Sequence, residues 1–213
     1  LKELIKEFDN KQKEYKKFVN SGTVDPYVVH WGHKKTKYIK SSFKKPIILD
    51  RKLKKFSLTR YNQSISEKII IANMTERIEC FYDNGEYCAG KSTIIILPGS
   101  KKLKFLTALL NSSLITFWYK NFYRSLSLAG DSIRIGTGEI KSIPVPDILD
   151  SDQKPFIKLV DQILKITQSK DYLDNLDKQA KVKKLEKEID QLVYKLYDLT
   201  PKEIKIVEEF NEK

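Results

Sequence analysis

The apolar residues of this chain change their spacing near residue 101, and that change limits the folds the chain can adopt. Before it, apolar residues form short, mostly β-branched runs typical of strands; these runs cover 27–29, 46–49, 68–71 and 93–97. After it, Leu103, Leu106 and Leu110 recur at helical spacing. The sequence therefore predicts a mixed α+β fold, in which a mostly antiparallel β-sheet packs against helices and a helical C-terminal region follows.

The turn signal in the middle of the chain predicts a β-hairpin. Asn84-Gly85 is a strong two-residue turn, and it is expected to pair about 77–82 with 87–97. In that register Cys80 and Cys88 point to opposite faces, so reduced thiols are expected rather than a disulfide. The run 93–97 is apolar on both faces, which predicts a central strand.

Both ends of the chain show helical patterns. Leu1, Leu4, Ile5 and Phe8 predict an N-terminal helix over 1–21. In the C-terminal part a two-heptad seam fits either a coiled coil or packing on a parent protein; its members are Val182, Leu185, Ile189, Leu192 and Leu196. These patterns divide the chain into a helix over 1–21, a mixed domain over 22–150 and a helical spacer, dimerisation or docking region over 151–213.

Two capping signals predict where helices begin. Asn111-Ser112-Ser113 interrupts the apolar pattern and can cap a second helix. Thr200 and Glu203 have the spacing of a capping box, with Pro201 at the first position of a final helix.

Positive charge is concentrated near the N-terminus. The chain has a formal net charge of +12, and residues 34–60 hold eleven Lys or Arg against one acidic residue, Asp50. A solvated surface usually mixes both signs, whereas a block of one sign indicates a polyanionic partner. Charge alone therefore favours nucleic acid.

The residue types in and after this block suggest two kinds of contact. Lysine neutralises phosphates without reading sequence. The residues expected to contact phosphates are Lys34, Lys35, Lys37, Lys52, Lys54 and Lys55. Arginine can pair with guanine, and Asn or Gln with adenine. The candidates for base edges are Arg60, Asn62, Gln63, Asn73 and Arg77.

Catalytic and metal-binding motifs are weak in this sequence. It contains neither GxGxxG nor a phosphate-binding GxxxxGK[ST] loop. His30 and His33 have no partner pattern that makes a zinc site, so no metal is expected. Asp147 and Glu203-Ile204-Lys205 match a metal-dependent nuclease by residue type only, and their order and predicted helical setting do not fit. No catalytic residue is therefore expected, and a small metal-dependent nuclease stays an alternative.

Residues 68–146 resemble the target-recognition domain of type II restriction–modification enzymes with fused methyltransferases, the TaqI-like C-terminal specificity domain. The resemblance rests on 68–71, 91–98, 109–114 followed by Phe117-Trp118-Tyr119, 133–135 and 140–146, and the tail 188–200 is also similar. Type I specificity subunits are similar in the same regions. The resemblance implies a DNA target-recognition domain over 22–150 that binds double-stranded DNA and is not an enzyme by itself.

The same resemblance implies partners that lie elsewhere in a parent protein. Methyltransferase or endonuclease domains of that protein would bind S-adenosylmethionine and magnesium, and no cofactor is expected in this chain. A start at Leu1 rather than Met is simplest for an excised fragment. The absence of a long apolar segment or signal peptide predicts a cytoplasmic protein without membrane contact. A general RNA-binding or nucleic-acid-binding module remains the other alternative.

Overall fold

The N-terminal residues form strands in the computed structural model, which describes residues 1–123 and 133–212. After a 3-10 turn at Lys2–Leu4, the chain forms β1 (Lys6–Glu7) and β2 (Tyr15–Val19). The predicted helix over 1–21 is wrong. Phe18 and Val19 are completely buried, and pairing with strands far along the chain outweighs the local helical spacing.

The strand β2 lies inside a four-stranded sheet. It pairs antiparallel with β7 (Pro46–Leu49) and parallel with β11 (Tyr87–Ala89), while β1 pairs with the other edge of β7. The order is therefore β1-β7-β2-β11.

A second sheet has three antiparallel strands. Its centre is β8 (Glu67–Ala72), which pairs with β10 (Cys80–Asn84) on one side and β12 (Thr93–Ile96) on the other. The prediction that 93–97 forms a central strand is wrong, because β12 lies at an edge and its side chains are only partly buried. The central strand is β8, which is buried from Lys68 to Ala72, and its Ile69, Ile70 and Ile71 face both covered sides of the sheet.

The turn at Asn84-Gly85 is present, but β10 and β11 enter different sheets, so the predicted hairpin ladder is wrong. The Asp83 carboxylate accepts hydrogen bonds from the backbone N–H groups of Glu86 and Tyr87, at 2.9 and 3.1 Å. The side chain thus closes the turn, and β11 is available to pair with β2. Cys80 and Cys88 are both free thiols and lie in different hydrophobic clusters.

Short ribbons and two helices complete the N-terminal half. The ribbons are β3 (Val24–Asp25) with β4 (Val28–Val29), β5 (Thr36–Tyr38) with β6 (Ser41–Phe43), and β9 (Met74–Thr75) with β13 (Ile133–Arg134). Asp131 and Ser132, expected to be extended, lie outside the described residues. Helices α1 (Asp50–Phe56) and α2 (Leu58–Ile65) follow β7 directly.

The C-terminal half is helical, as predicted. Its helices are α3 (Leu103–Asn111), α4 (Ser113–Phe122), α5 (Thr137–Lys141), α6 (Asp150–Thr167), α7 (Leu176–Leu196) and α8 (Pro201–Asn211). The Ser112 side chain caps α4 by accepting from Ile115 N–H, and the Thr200–Glu203 capping box opens α8, so both capping predictions are confirmed.

The largest hydrophobic core crosses the expected boundary at residue 150. The ring of Phe105 in α3 packs edge to face on Phe156 in α6, with ring centroids 5.2 Å apart. Val182 and Ile189 of the predicted seam are buried in the same core, so the seam packs on this chain. The mixed α+β, mostly antiparallel architecture is confirmed, and the role of 151–213 as a spacer or docking region stays a prediction. Among the described residues, no helix has the length and apolar character needed to cross a membrane.

Candidate nucleic-acid interface

The cation-rich residues lie on elements that share one small hydrophobic cluster. Tyr38 of β5 and Leu53 of α1 are buried in it together with Phe18, and Tyr61 of α2 packs against its edge. Because these side chains point inward, the lysines between them are turned to solvent. The β5–β6 ribbon, α1 and α2 therefore pack on the same hydrophobic cluster.

Most of the lysines proposed to contact phosphates are exposed. Lys35 and Lys37 are exposed beside and within β5, and Lys54 and Lys55 are exposed on α1, while Lys52 is partly buried. Lys34 is also exposed, and its ammonium lies 3.3 Å from the Asp25 carboxylate. Five of the six are therefore exposed to solvent, and their contact with phosphates stays a prediction.

Helix α2 carries three of the proposed base-reading residues. Ser57 caps the helix by accepting a hydrogen bond from Arg60 N–H. Asn62 is exposed and Gln63 is partly buried. The Arg60 guanidinium donates to the Ala89 carbonyl at 3.2 Å, so that side chain also ties α2 to β11.

Asn73 and Arg77 lie on other elements. The Asn73 side-chain oxygen accepts from the Ser21 hydroxyl at 3.2 Å. Arg77 Nε lies 3.8 Å from Glu79 Oε1, and its charge also favours the ionised forms of Glu186 and Asp190. The structure does not place these two side chains on the cluster that supports α1 and α2.

Sequence reasoning missed a buried ion pair beneath α2. Lys68 and Asp83 form a salt bridge with both side chains 1% exposed. The Lys68 ammonium also donates to the carbonyls of Ser64 and Ser66, at 3.3 and 3.1 Å. Burial lowers the pKa of Lys68 and raises that of Asp83, and their mutual attraction opposes both shifts. The sequence feature that could have indicated this ion pair is the position of Lys68 directly before the apolar run 69–71.

The same ion pair holds the β10–β11 turn against the end of α2. Gly85 has φ +86°, and a Cβ there would lie 2.4 Å from the backbone oxygen of Ile65. Only glycine permits this approach, since another residue would meet backbone that cannot move aside. The turn and Lys68 together position the helix that carries Arg60, Asn62 and Gln63.

A second feature that sequence reasoning missed is a groove of about 450 Å³ beside β11. The Lys17 ammonium lies between two rings, 5.5 Å from the centroid of Trp31 and 5.3 Å from that of Tyr87. It also pairs with Glu86 at 2.8 Å. The aromatic faces of Trp31 and Tyr87 and the ion pair with Glu86 hold this cation in the lining of the groove.

Three of the groups considered for metal or nuclease chemistry, His30, Asp147 and Glu203, have other partners. His30 is paired with the Asp25 carboxylate, whose pKa is lowered by that contact. Asp147 pairs with Lys101 at 2.6 Å, and Glu203 serves in the capping box of α8. Over residues 1–123 and 133–212, no three His, Cys, Asp or Glu side chains come together as a metal site.

A mixed α+β fold that carries a cluster of exposed Lys and Arg has the electrostatic footprint of domains that bind nucleic acid. Within that class, the chain belongs to the TaqI-like C-terminal specificity domain family, whose family model matches residues 16–145. It is therefore a specificity domain of restriction–modification enzymes, which implies recognition of a DNA target. The resemblance found in the sequence is confirmed.

Two similar proteins agree with this membership. The type II methyltransferase M.BstVI of Geobacillus stearothermophilus is 26% identical over 144 residues, which are 67% of this chain and 22% of the methyltransferase. A solved structure of the type IIL restriction–modification enzyme MmeI in complex with DNA has a TM-score of 0.57 and 13% identity. The match covers 92% of this chain and 31% of MmeI, and it concerns the fold. The chain thus spans about a fifth of the first relative and a third of the second.

Proposed function

We propose that this chain is the non-catalytic part of a restriction–modification enzyme that reads the sequence of double-stranded DNA. The observation that carries the proposal is the surface formed by the β5–β6 ribbon, α1 and α2. Residues 34–60 contain eleven Lys or Arg and one acidic residue, nine of these cations are exposed, and the ribbon, α1 and α2 pack on one hydrophobic cluster. Membership of the specificity-domain family supports DNA as the polyanion.

The proposed roles follow from exposure and side-chain chemistry. The lysines of the ribbon and α1 contact phosphates and set the register of the protein on the duplex. Asn62 and Gln63 on α2 read base edges, and Arg60 does so from its position beside Ala89. Asn73 and Arg77 are proposed for a second contact, since they lie on a different part of the chain.

Methylation or cleavage then belongs to other domains of a parent protein. We expect those domains to bind S-adenosylmethionine and magnesium and to be the protein partners of this chain. The similar type II methyltransferase is several times longer than the matched region, which supports this division of labour.

Selection of bound duplexes from a random-sequence DNA pool, at low and at physiological salt, tests the proposal. We expect a defined motif that persists at physiological salt. Competition with single-stranded DNA and with RNA uses the same chain, and preference for either would contradict duplex recognition. Binding without a motif would reduce the surface to a general polyanion site.

Matched variants separate the two kinds of contact. Lys55→Ala should weaken all duplexes alike and lower the slope of log affinity against log salt by about 0.9. Asn62→Ala should cost on the order of 1–3 kcal/mol on the selected motif and little on other sequences. Lys187→Ala, on the exposed side of α7, is the control and should change neither quantity. An equal effect of Lys187→Ala and Lys55→Ala would place the interface elsewhere.

A further inference from the structure

The tip of the β5–β6 ribbon carries an unusual residue for its conformation. The strands pair Thr36 with Phe43 and Tyr38 with Ser41, so Ile39 and Lys40 form a two-residue loop. Both have positive φ, 42° for Ile39 and 61° for Lys40. Such turns favour Asn or Gly, because a Cβ atom is crowded in this region and a β-branched side chain is crowded most. Isoleucine is therefore among the residues least suited to this position.

Packing does not compensate for the strain at Ile39. The side chain is 54% exposed, although isoleucine is usually buried. Backbone strain of this kind is concentrated at functional sites in proteins. Ile39 combines this exposure with a disfavoured backbone conformation, which makes it a candidate for contact with a partner.

The ribbon beneath the tip is firmly attached. Tyr38 is buried and packs edge to face on Phe18, with ring centroids 5.0 Å apart. The Asn20 side chain donates to the Lys37 carbonyl at 2.9 Å. Ile39 is therefore presented at the end of an anchored two-stranded ribbon.

The charges around the tip indicate what it meets. Residues 34–45 hold six lysines and no acidic residue, and Lys35, Lys37 and Lys40 are exposed. Duplex DNA combines a charged exterior with an apolar stack of bases that is reached through the grooves. Two-stranded β-ribbons of other DNA-binding proteins lie in the major or the minor groove, and apolar side chains that enter base steps do so from the minor groove.

We propose that Ile39 is a wedge that enters one base step of bound duplex DNA, unstacks it and kinks the helix. Lys37 and Lys40 hold the phosphates on either side while the side chain is inserted. The wedge rests on the proposed recognition of double-stranded DNA and adds deformation of the duplex to it. Specificity then depends partly on how easily the step at the tip is unstacked.

Two substitutions in the same turn test the wedge. Ile39→Asn removes the apolar side chain, and Lys40→Asn removes one positive charge at the neighbouring position. In both variants the new Asn tolerates the positive φ better than the original residue. Both should raise the Tm, because both relieve backbone strain. Energy transfer between dyes at the ends of a duplex of about 30 base pairs carrying the selected motif reports the bend.

The two variants should then differ on DNA. Ile39→Asn should lose most of the bend and bind the motif about tenfold more weakly. Lys40→Asn should keep the bend and lower the salt slope by about 0.9. Ile39→Gly repeats the test if the Asn side chain forms new contacts with bases.

The outcomes distinguish the wedge from the recognition function. A wild-type chain that binds its motif in a straight duplex, with Ile39→Asn binding equally well, overturns the wedge and leaves recognition intact. A wild-type chain that selects no duplex overturns both. Loss of binding to a purified methyltransferase domain of the parent protein, with the bend unchanged, would assign Ile39 to a protein interface instead.

Discussion

Replacing Lys68 with Met should destabilise this protein far more than the loss of an ordinary lysine. The Lys68 and Asp83 side chains are both 1% exposed, so the substitution leaves the Asp83 carboxylate buried without a countercharge. Breaking a buried pair from one side costs on the order of 3–5 kcal/mol. For a chain of this size, each kcal/mol lowers Tm by roughly 2–4 °C, so the expected loss is about 6–20 °C.

The loss should also depend on pH. Burial already raises the pKa of Asp83 above its usual value, and removal of Lys68 raises it further. An acid whose pKa is higher in the folded state loses its proton first in the unfolded chain, so stability falls as pH rises through the interval between the two values. The free energy of unfolding of Lys68→Met should therefore be closer to that of the wild type at about pH 4 than at about pH 8.

Urea unfolding of three variants measures the effect. Lys17→Met removes a partly exposed ion pair with Glu86 at the same turn, and it should cost under about 1 kcal/mol. Adding Asp83→Asn to Lys68→Met removes the unpaired charge and should recover a large part of the loss. A Lys68→Met variant within about 1 kcal/mol of the wild type, or no recovery in the double variant, would refute the reasoning.

Three further predictions follow from single side chains. Burial raises the pKa of Glu79 to about 7, so wild-type stability should fall between about pH 4.5 and pH 7, and Tm measured across that range should fall less in Glu79→Gln. Gly85→Ala should cost more than about 1–2 kcal/mol in urea unfolding, because φ is +86° and its Cβ would lie 2.4 Å from the Ile65 carbonyl oxygen; an unchanged midpoint would show that the turn moves freely. Thr200→Ala should cost about 1 kcal/mol by the same measurement, whereas Thr200→Ser should keep most of the stability because it preserves the cap.

Local patterns in the sequence predicted local structure well. The caps at Ser112 and Thr200 were correct because a cap depends on residues within one helical turn. The run 68–71 was identified as a strand because short runs of β-branched residues are typical of strands. The same reasoning failed at 1–21, where helical spacing was misleading and the pairing of β2 with β7 and β11 decided the structure.

In the candidate site, too, local features were predicted from the sequence and contacts between distant residues were not. The cationic block and the base-reading residue types of α2 were visible in the sequence. The buried partner of Lys68 was not, because Asp83 is fifteen positions away and lies opposite Lys68 only through the pairing of β10 with β8. The charge of Arg77 also lowers the pKa values of Glu186 and Asp190 on α7, more than a hundred positions away, and this effect was not predicted.

The sequence by itself determined the mixed α+β class, the helix caps, the excess of positive charge in 34–60 and the resemblance to a specificity-domain family. Only the tertiary structure decided which strands pair, that the ribbon, α1 and α2 pack on the same hydrophobic cluster, and that Ile39 lies exposed at a strained tip. The physical reason is the separation along the chain of the residues that determine each property. Spacing, capping and charge depend on neighbours along the chain, whereas pairing and burial depend on contacts such as that between Lys17 and Glu86, which are 69 residues apart.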